Sequence, residues 1–123
     1  MRVSLQHVAH ARSGDKGNTA NIVVIAYSAE LYPFLREQLS QERVKTFYQG
    51  VIHGDVKRYV IDHLFMMNFV AEGALGGGVS RSLCLDNYGK ALSGALLGFE
   101  LDIPDHLGQH LRGIIPSWVA KTS

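Results

Sequence analysis

The chain carries an unusually polar insert, Arg12-Ser13-Gly14-Asp15-Lys16-Gly17-Asn18, between two strand-like runs. Upstream, Val3, Leu5, His7 and Ala9 alternate with Ser4, Gln6, Val8 and His10, the two-residue period of a strand. Downstream, residues 20–27 read Ala-Asn-Ile-Val-Val-Ile-Ala-Tyr, an apolar, β-branched run that predicts a central strand covered on both faces. The insert is too short for a crossover helix, so the two runs are expected to pair antiparallel. Gly14-Asp15 and Lys16-Gly17 supply turn chemistry within it.

The rest of the chain follows from that start. Leu31, Phe34, Leu35 and Leu39 form a helical stripe, entered either at a Ser28 cap or at Tyr32 with Pro33 in the first turn. Ser40 reads as a second cap, and Val44, Phe47, Tyr48 and Val51 continue at helical spacing. This region is one bent helix or two short ones, ending near Gly50. After the Gly54-Asp55 turn, residues 56–61 and 64–71 read as two strands joined at Asp62-His63. Asn68 interrupts the second of these, where an amide is costly unless paired or on the wetter face. Tyr88, Ala91, Leu92, Ala95, Leu96 and Phe99 share one helix face, capped by Asp86 or Asn87 and ending near Gly98. The order strand, strand, helix, strand, strand, helix predicts a two-layer α+β sandwich, with one antiparallel sheet and helices on one face. The other face then needs the tail, a second subunit or a larger domain to cover it. Residues 1–100 read as the domain, and residues 101–123 as a tail, beyond Pro104, that docks on the domain or on a partner. Its Ile114, Ile115, Trp118 and Val119 are too apolar to be left in water.

Composition narrows the function classes. A chain of 123 residues with 46% hydrophobic content is long and apolar enough for one domain with a real core. Only 19% of residues are charged, which points to surface hidden in a homo-oligomer. The net charge of +1 and the lack of a basic stripe argue against nucleic acid. One cysteine, Cys84, excludes an intrachain disulfide and fits a reducing compartment. With no apolar signal region and no run of spanning length, a cytoplasmic protein without a membrane partner is expected.

Chemistry, if present, concentrates in the polar insert and in a second glycine-rich stretch, Gly73-Ala74-Leu75-Gly76-Gly77-Gly78-Val79-Ser80-Arg81-Ser82. The two are expected to meet in space. Arg12, Lys16, Arg81 and Lys90 are cations beside glycine turns or helix starts, where backbone N–H groups make anion nests. The candidate ligand- or anion-binding set is Arg12, Ser13, Gly14, Asp15, Lys16, Gly17, Asn18, Asn68, Gly76, Gly77, Gly78, Ser80, Arg81 and Ser82. Against it stands a structural reading, in which Asp15 and Asp86 pair with these bases and hold the loops together. Neither stretch has the spacing of a nucleotide phosphate loop or a dinucleotide fingerprint, and no serine lies in a nucleophile elbow. Cys84, between Leu83 and Leu85, reads as a small buried apolar residue. His10 is the best general-base candidate, though a lone histidine more often packs or hydrogen-bonds. His106 and His110 are four apart, but Gly108 lies between them and no third ligand is near, so neither a metal nor another cofactor is expected.

These two stretches carry a family resemblance. Ala9-His10-Ala11-Arg12-Ser13-Gly14-Asp15-Lys16-Gly17-Asn18 resembles the opening motif of the ferredoxin-like domain at the C-terminus of AtuA-type (acyclic terpene utilisation) proteins. Asn68-Phe69, then Gly73 to Gly78, Ser80-Arg81-Ser82-Leu83, Asp86 and Gly89-Lys90 resemble its second motif. The resemblance covers roughly residues 3–99 and implies ferredoxin-like architecture, although the element order is not the simple βαββαβ one. It also implies a domain that follows a long N-terminal domain in larger members and occurs as a stand-alone small protein. The family is associated with acyclic terpene and related acyl-coenzyme A catabolism, and the resemblance assigns no catalytic residue. Two readings follow. One is a non-catalytic accessory subunit that oligomerises and pairs with a separately encoded large AtuA-type subunit. The other is an enzyme subunit contributing an anion-binding half-site for an acyl-coenzyme A or small carboxylate.

Overall fold

The N-terminal alternation divides in two in the computed structural model, which describes residues 1–16, 19–52, 54–72 and 89–113. Strand β1 (Arg2–Ser4) ends in a 3-10 turn at Leu5–His7, and β2 (Ala9–Lys16) starts after Val8. The polar stretch from residue 12 to 16 is not a loop. It continues β2, which pairs antiparallel with β3 (Thr19–Ala26) from Ala9↔Ala26 to Lys16↔Thr19. A strand requires only that alternate side chains suit alternate faces, so one polar face is no obstacle to pairing.

Helices α1 (Tyr32–Gln38) and α2 (Gln41–Phe47) follow as two short helices. Pro33 lies in the first turn of α1, where its missing N–H costs nothing. The Ser40 hydroxyl accepts from the Arg43 N–H at 3.2 Å and so starts α2. Strands β4 (Val56–Ile61) and β5 (Met66–Glu72) form the second hairpin, turned by a 3-10 segment at Asp62–Leu64 and a left-handed Phe65 at φ 54°. Helix α3 (Gly89–Leu96) then leads to β6 (Glu100–Asp102), which pairs with β1 in a separate two-stranded sheet. The cap candidates Asp86 and Asn87, and Tyr88, lie outside the described residues. β6 was not anticipated; its signal is the exposed–buried alternation of Glu100, Leu101 and Asp102. No helix among the described residues is long and apolar enough to cross a membrane.

The main sheet has the order β2-β3-β5-β4, antiparallel throughout. In a βαββαβ ferredoxin-like sheet the final strand lies at the edge beside the first. Here β3, α1–α2, β4, β5 and α3 follow that plan, and β2 fills that edge from the front of the chain. The departure in element order is thus a change of connection, with the layers preserved.

One face of the sheet carries the core. Ala20, Ile22, Val24 and Ala26 of β3, with Met67, Phe69 and Ala71 of β5, are buried against Leu35, Leu39, Val44, Leu92 and Leu96. β3 is therefore not covered alike on both faces. Asn21, Val23 and Ile25 are only half-buried on the other side. The β4–β5 turn is fixed to α1 through Asp62, which accepts from the Tyr32 hydroxyl at 2.6 Å and pairs with Arg36 at 3.2 Å. Arg58 donates to the carbonyls of Arg36 at 2.6 Å and Leu39 at 3.0 Å.

Burial, then the hydrogen bond and charge of Asp62, push the Tyr32 hydroxyl up to about 12 from its ordinary 10.0. The folded state therefore holds this proton more tightly than the unfolded chain does. The group's contribution is complete below about pH 10 and is lost as pH rises toward about 12. We expect wild-type stability to fall over that window and Tyr32→Phe to remove this component, as read by denaturant melts across pH. Gly54 offers a second test. A Cβ there would lie 2.2 Å from the Glu72 carbonyl oxygen, so Gly54→Ala forces strand displacement. A loss of ~1–3 kcal/mol is expected in chemical denaturation.

Candidate functional site on the outer face of the sheet

Residues directly paired across an antiparallel sheet share a face. Register therefore sorts the motif side chains. Arg12 pairs with Val23, Val23 with Asn68 and Asn68 with Tyr59, which places all four in one row on the face away from the core. The next row runs Gly14, Asn21, Val70, Lys57, and the row on the other side runs His10, Ile25, Met66, Ile61. Of the sequence candidates, Arg12, Gly14, Asn68 and His10 thus share one surface. Ser13, opposite the buried Ile22, belongs to the core side.

At the centre of this surface the Asn21 amide donates from Nδ2 to Asn68 Oδ1 at 3.4 Å. Gly14 lies opposite Asn21, and a Cβ at Gly14 would come within 3.1 Å of Asn21 Oδ1. The glycine therefore makes room for the asparagine side chain rather than for a turn. Asn21 escaped the sequence reading because it stands inside an apolar run. The signal was its parity: it is out of phase with Ala20, Ile22 and Val24, so it cannot face the same way as they do. Arg12 is exposed on the edge strand, and none of its contacts among the described residues is an ion pair. Tyr59, on the opposite edge, is 52% exposed.

The described part of the polar stretch and that of the second motif finish at the same end of the sheet. Lys16 pairs with Thr19 at the end of the β2–β3 hairpin, and Thr19 pairs with Glu72, the last residue of β5. The backbone of Asp15 and Lys16 lies in β2. Gly17, Asn18, Gly76, Gly77, Gly78, Ser80, Arg81, Ser82 and Cys84 lie outside the described residues.

The histidines are dispersed. The His10 ring lies 5.7 Å from that of Tyr27, and the Arg112 guanidinium lies over the Tyr27 ring at 4.8 Å from its centroid. His7 Nδ1 bonds the Arg112 carbonyl at 2.7 Å, while His110 lies 3.8 Å from Glu30. Among the described residues no three His, Cys, Asp or Glu side chains could hold a metal ion. An open apolar recess between α2 and Phe99, lined by Arg43, Thr46 and Phe47, holds none of the motif residues.

Comparison with known proteins agrees with this architecture. The model of a family described as the AtuA ferredoxin-like domain matches residues 3–102, spanning β1 through β6. No curated protein and no solved structure matches. The matched span takes in both motifs and every strand of the two sheets, and the chain belongs to the AtuA ferredoxin-like domain family.

Proposed function

We propose that this chain is a small accessory subunit that oligomerises and pairs with a large AtuA-type protein in acyl-coenzyme A or terpenoid catabolism. The supporting observation is the outer sheet face. Val23, Ile25, Met66 and Val70 lie half-buried there, on the face opposite the one whose side chains join the buried helix residues in the core. A four-stranded antiparallel sheet can leave one face in water, but such faces are normally polar by alternation. This one carries four apolar side chains around the amide pair on its central strands, with cations and an aromatic ring on its edge strands. That distribution supports reading the face as an interface. Light scattering after size exclusion is expected to show an oligomer, and the oligomer is expected to bind the large chain. A stable monomer with no affinity for the large chain would sink the proposal. Val23→Glu with Val70→Glu buries unpaired carboxylates in any such interface and should weaken association more than ~10-fold.

A second reading rests on Arg12. An exposed guanidinium without an ion-pair partner among the described residues, on the same sheet face as two amides, suits a carboxylate or phosphate. In that reading the chain contributes an anion-binding half-site for an acyl-coenzyme A or a small carboxylate. Titration calorimetry at low salt should then give heat with such anions, and Arg12→Ala should abolish it. No heat with any of them would count heavily against a half-site.

A further inference from the structure

The oligomer reading leaves open what covers the outer face; the amide pair at its centre identifies the occupant. We infer that it is a second copy of this chain, packed face to face, with Asn21 and Asn68 of both copies closing a four-amide ring on a two-fold axis. This inference rests on the oligomer reading above.

Among the described residues, hydrogen-bonding capacity is left over at the amide pair. Asn21 donates to Asn68 Oδ1, which leaves the Asn68 NH2 as a donor and Asn21 Oδ1 as an acceptor. Neither group has a further bond to a described residue. An interface that buried them against apolar surface would leave them unsatisfied, at ~1–3 kcal/mol each. The fitting complement is an acceptor opposite Asn68 and a donor opposite Asn21. The same pair on a second copy supplies both.

Symmetry delivers that match. Asn21 is on β3 and Asn68 on β5, the two central strands, in adjacent rows. The middle of the sheet therefore falls between them. A two-fold axis lying between two stacked sheets, through that midpoint, brings each Asn68 beside the partner copy's Asn21. The bonds run Asn21 to Asn68, across to the second Asn21, to the second Asn68 and back. This isologous arrangement uses one patch twice and closes on itself.

The flanks agree. With the axis along the strands, β2 of one copy lies over β4 of the other, so Arg12 meets the exposed Tyr59 ring and Lys57 meets the space above Gly14. With the axis across the strands, Tyr59 meets Lys57 instead. Either way the half-exposed ring gains a cation from the other copy. Ile25, Met66, Val23 and Val70 frame the ring of amides. Four strands of about seven residues span ~19 Å by ~23 Å, a footprint of roughly 440 Å² in projection, at the small end of interfaces between proteins. Arg12 and Lys57 stay on the edge strands, where water reaches them.

Sedimentation equilibrium of the intact chain tests this. Wild type should be a dimer. Asn68→Asp removes both outward donors and adds two like charges to the ring, so the dimer Kd at pH 7.5 should rise at least ~100-fold. Asn21→Leu combined with Asn68→Leu should stay associated but sample several species, since the face remains apolar while the register is lost. Circular dichroism establishes that each variant is folded. A measurement without substitution stands beside them: in wild type the side-chain NH2 signals of Asn21 and Asn68 should be protected from a soluble paramagnetic agent. A monomeric wild type would overturn the inference together with the oligomer reading. A wild-type dimer in which Asn68→Asp leaves Kd unchanged, or in which those NH2 groups are fully accessible, would overturn the amide ring and leave the oligomer reading intact.

Discussion

Strand β3 is hydrogen-bonded along both of its edges, to β2 and to β5, and most of the molecule follows from that double pairing. A strand held on both sides cannot slip by one residue without moving Ile22 and Val24 from the core to the surface. Their burial against α1, α2 and α3 fixes the register of β3. The register of β3 fixes its neighbours, and the neighbours fix which motif residues meet. Arg12, Gly14, Asn21 and Asn68 share a surface because Ile22, Phe69 and Ser13 share the other one.

The connection order has a physical consequence of its own. Filling the edge position from the N-terminal side joins β2 to β3 by a hairpin, the most local link available between antiparallel strands. It also frees the chain after α3 from returning to the main sheet. That chain forms β6 instead, and β6 ties to β1, with the Leu5 N–H bonding the Phe99 carbonyl at 2.7 Å. The small sheet thus holds the two chain regions that flank the main sheet, and Val3, Leu101 and Ile103 extend the single core into it.

Most of this was legible in the sequence. The hairpins, the helical stripe around Leu35, the Ser40 cap and the strand at residues 56–61 all follow from period and capping chemistry. The largest departure came where composition was read in place of alternation. Residues 12–16 look like a loop because they are charged and glycine-bearing, yet their backbone pairs residue for residue with β3 up to Lys16↔Thr19. Gly14 looked like turn chemistry and is a space for Asn21. β6 is three residues long, so the alternation that marks it spans a single period and a half. The candidate site was half legible for the same reason. Arg12 and Asn68 stand out as polar residues in their own right, whereas Asn21 has meaning only once its register against Gly14 and its bond to Asn68 are known.

The amide pair shows why the outer face differs from an ordinary solvated one. On a face bound for water, asparagines need no partner and no glycine to accommodate them. On a face bound for a plain apolar contact, valine at both positions would fit the strands better and bury more carbon. Asn21 and Asn68 suit neither case. Their mutual hydrogen bond is worth only ~0.5–1.5 kcal/mol net, and it leaves the Asn68 NH2 and Asn21 Oδ1 without a further bond to a described residue. A simple anion could use the donor but would be repelled by the acceptor, since Asn21 Oδ1 carries partial negative charge. An anion site would therefore draw on Arg12 and the Asn68 NH2 and leave Asn21 to one side, as a support that orients Asn68. A partner offering both polarities uses the pair whole. Two amides, one donating to the other beside a glycine, thus present both polarities at once, which suits a group that both gives and takes hydrogen bonds better than it suits a simple anion.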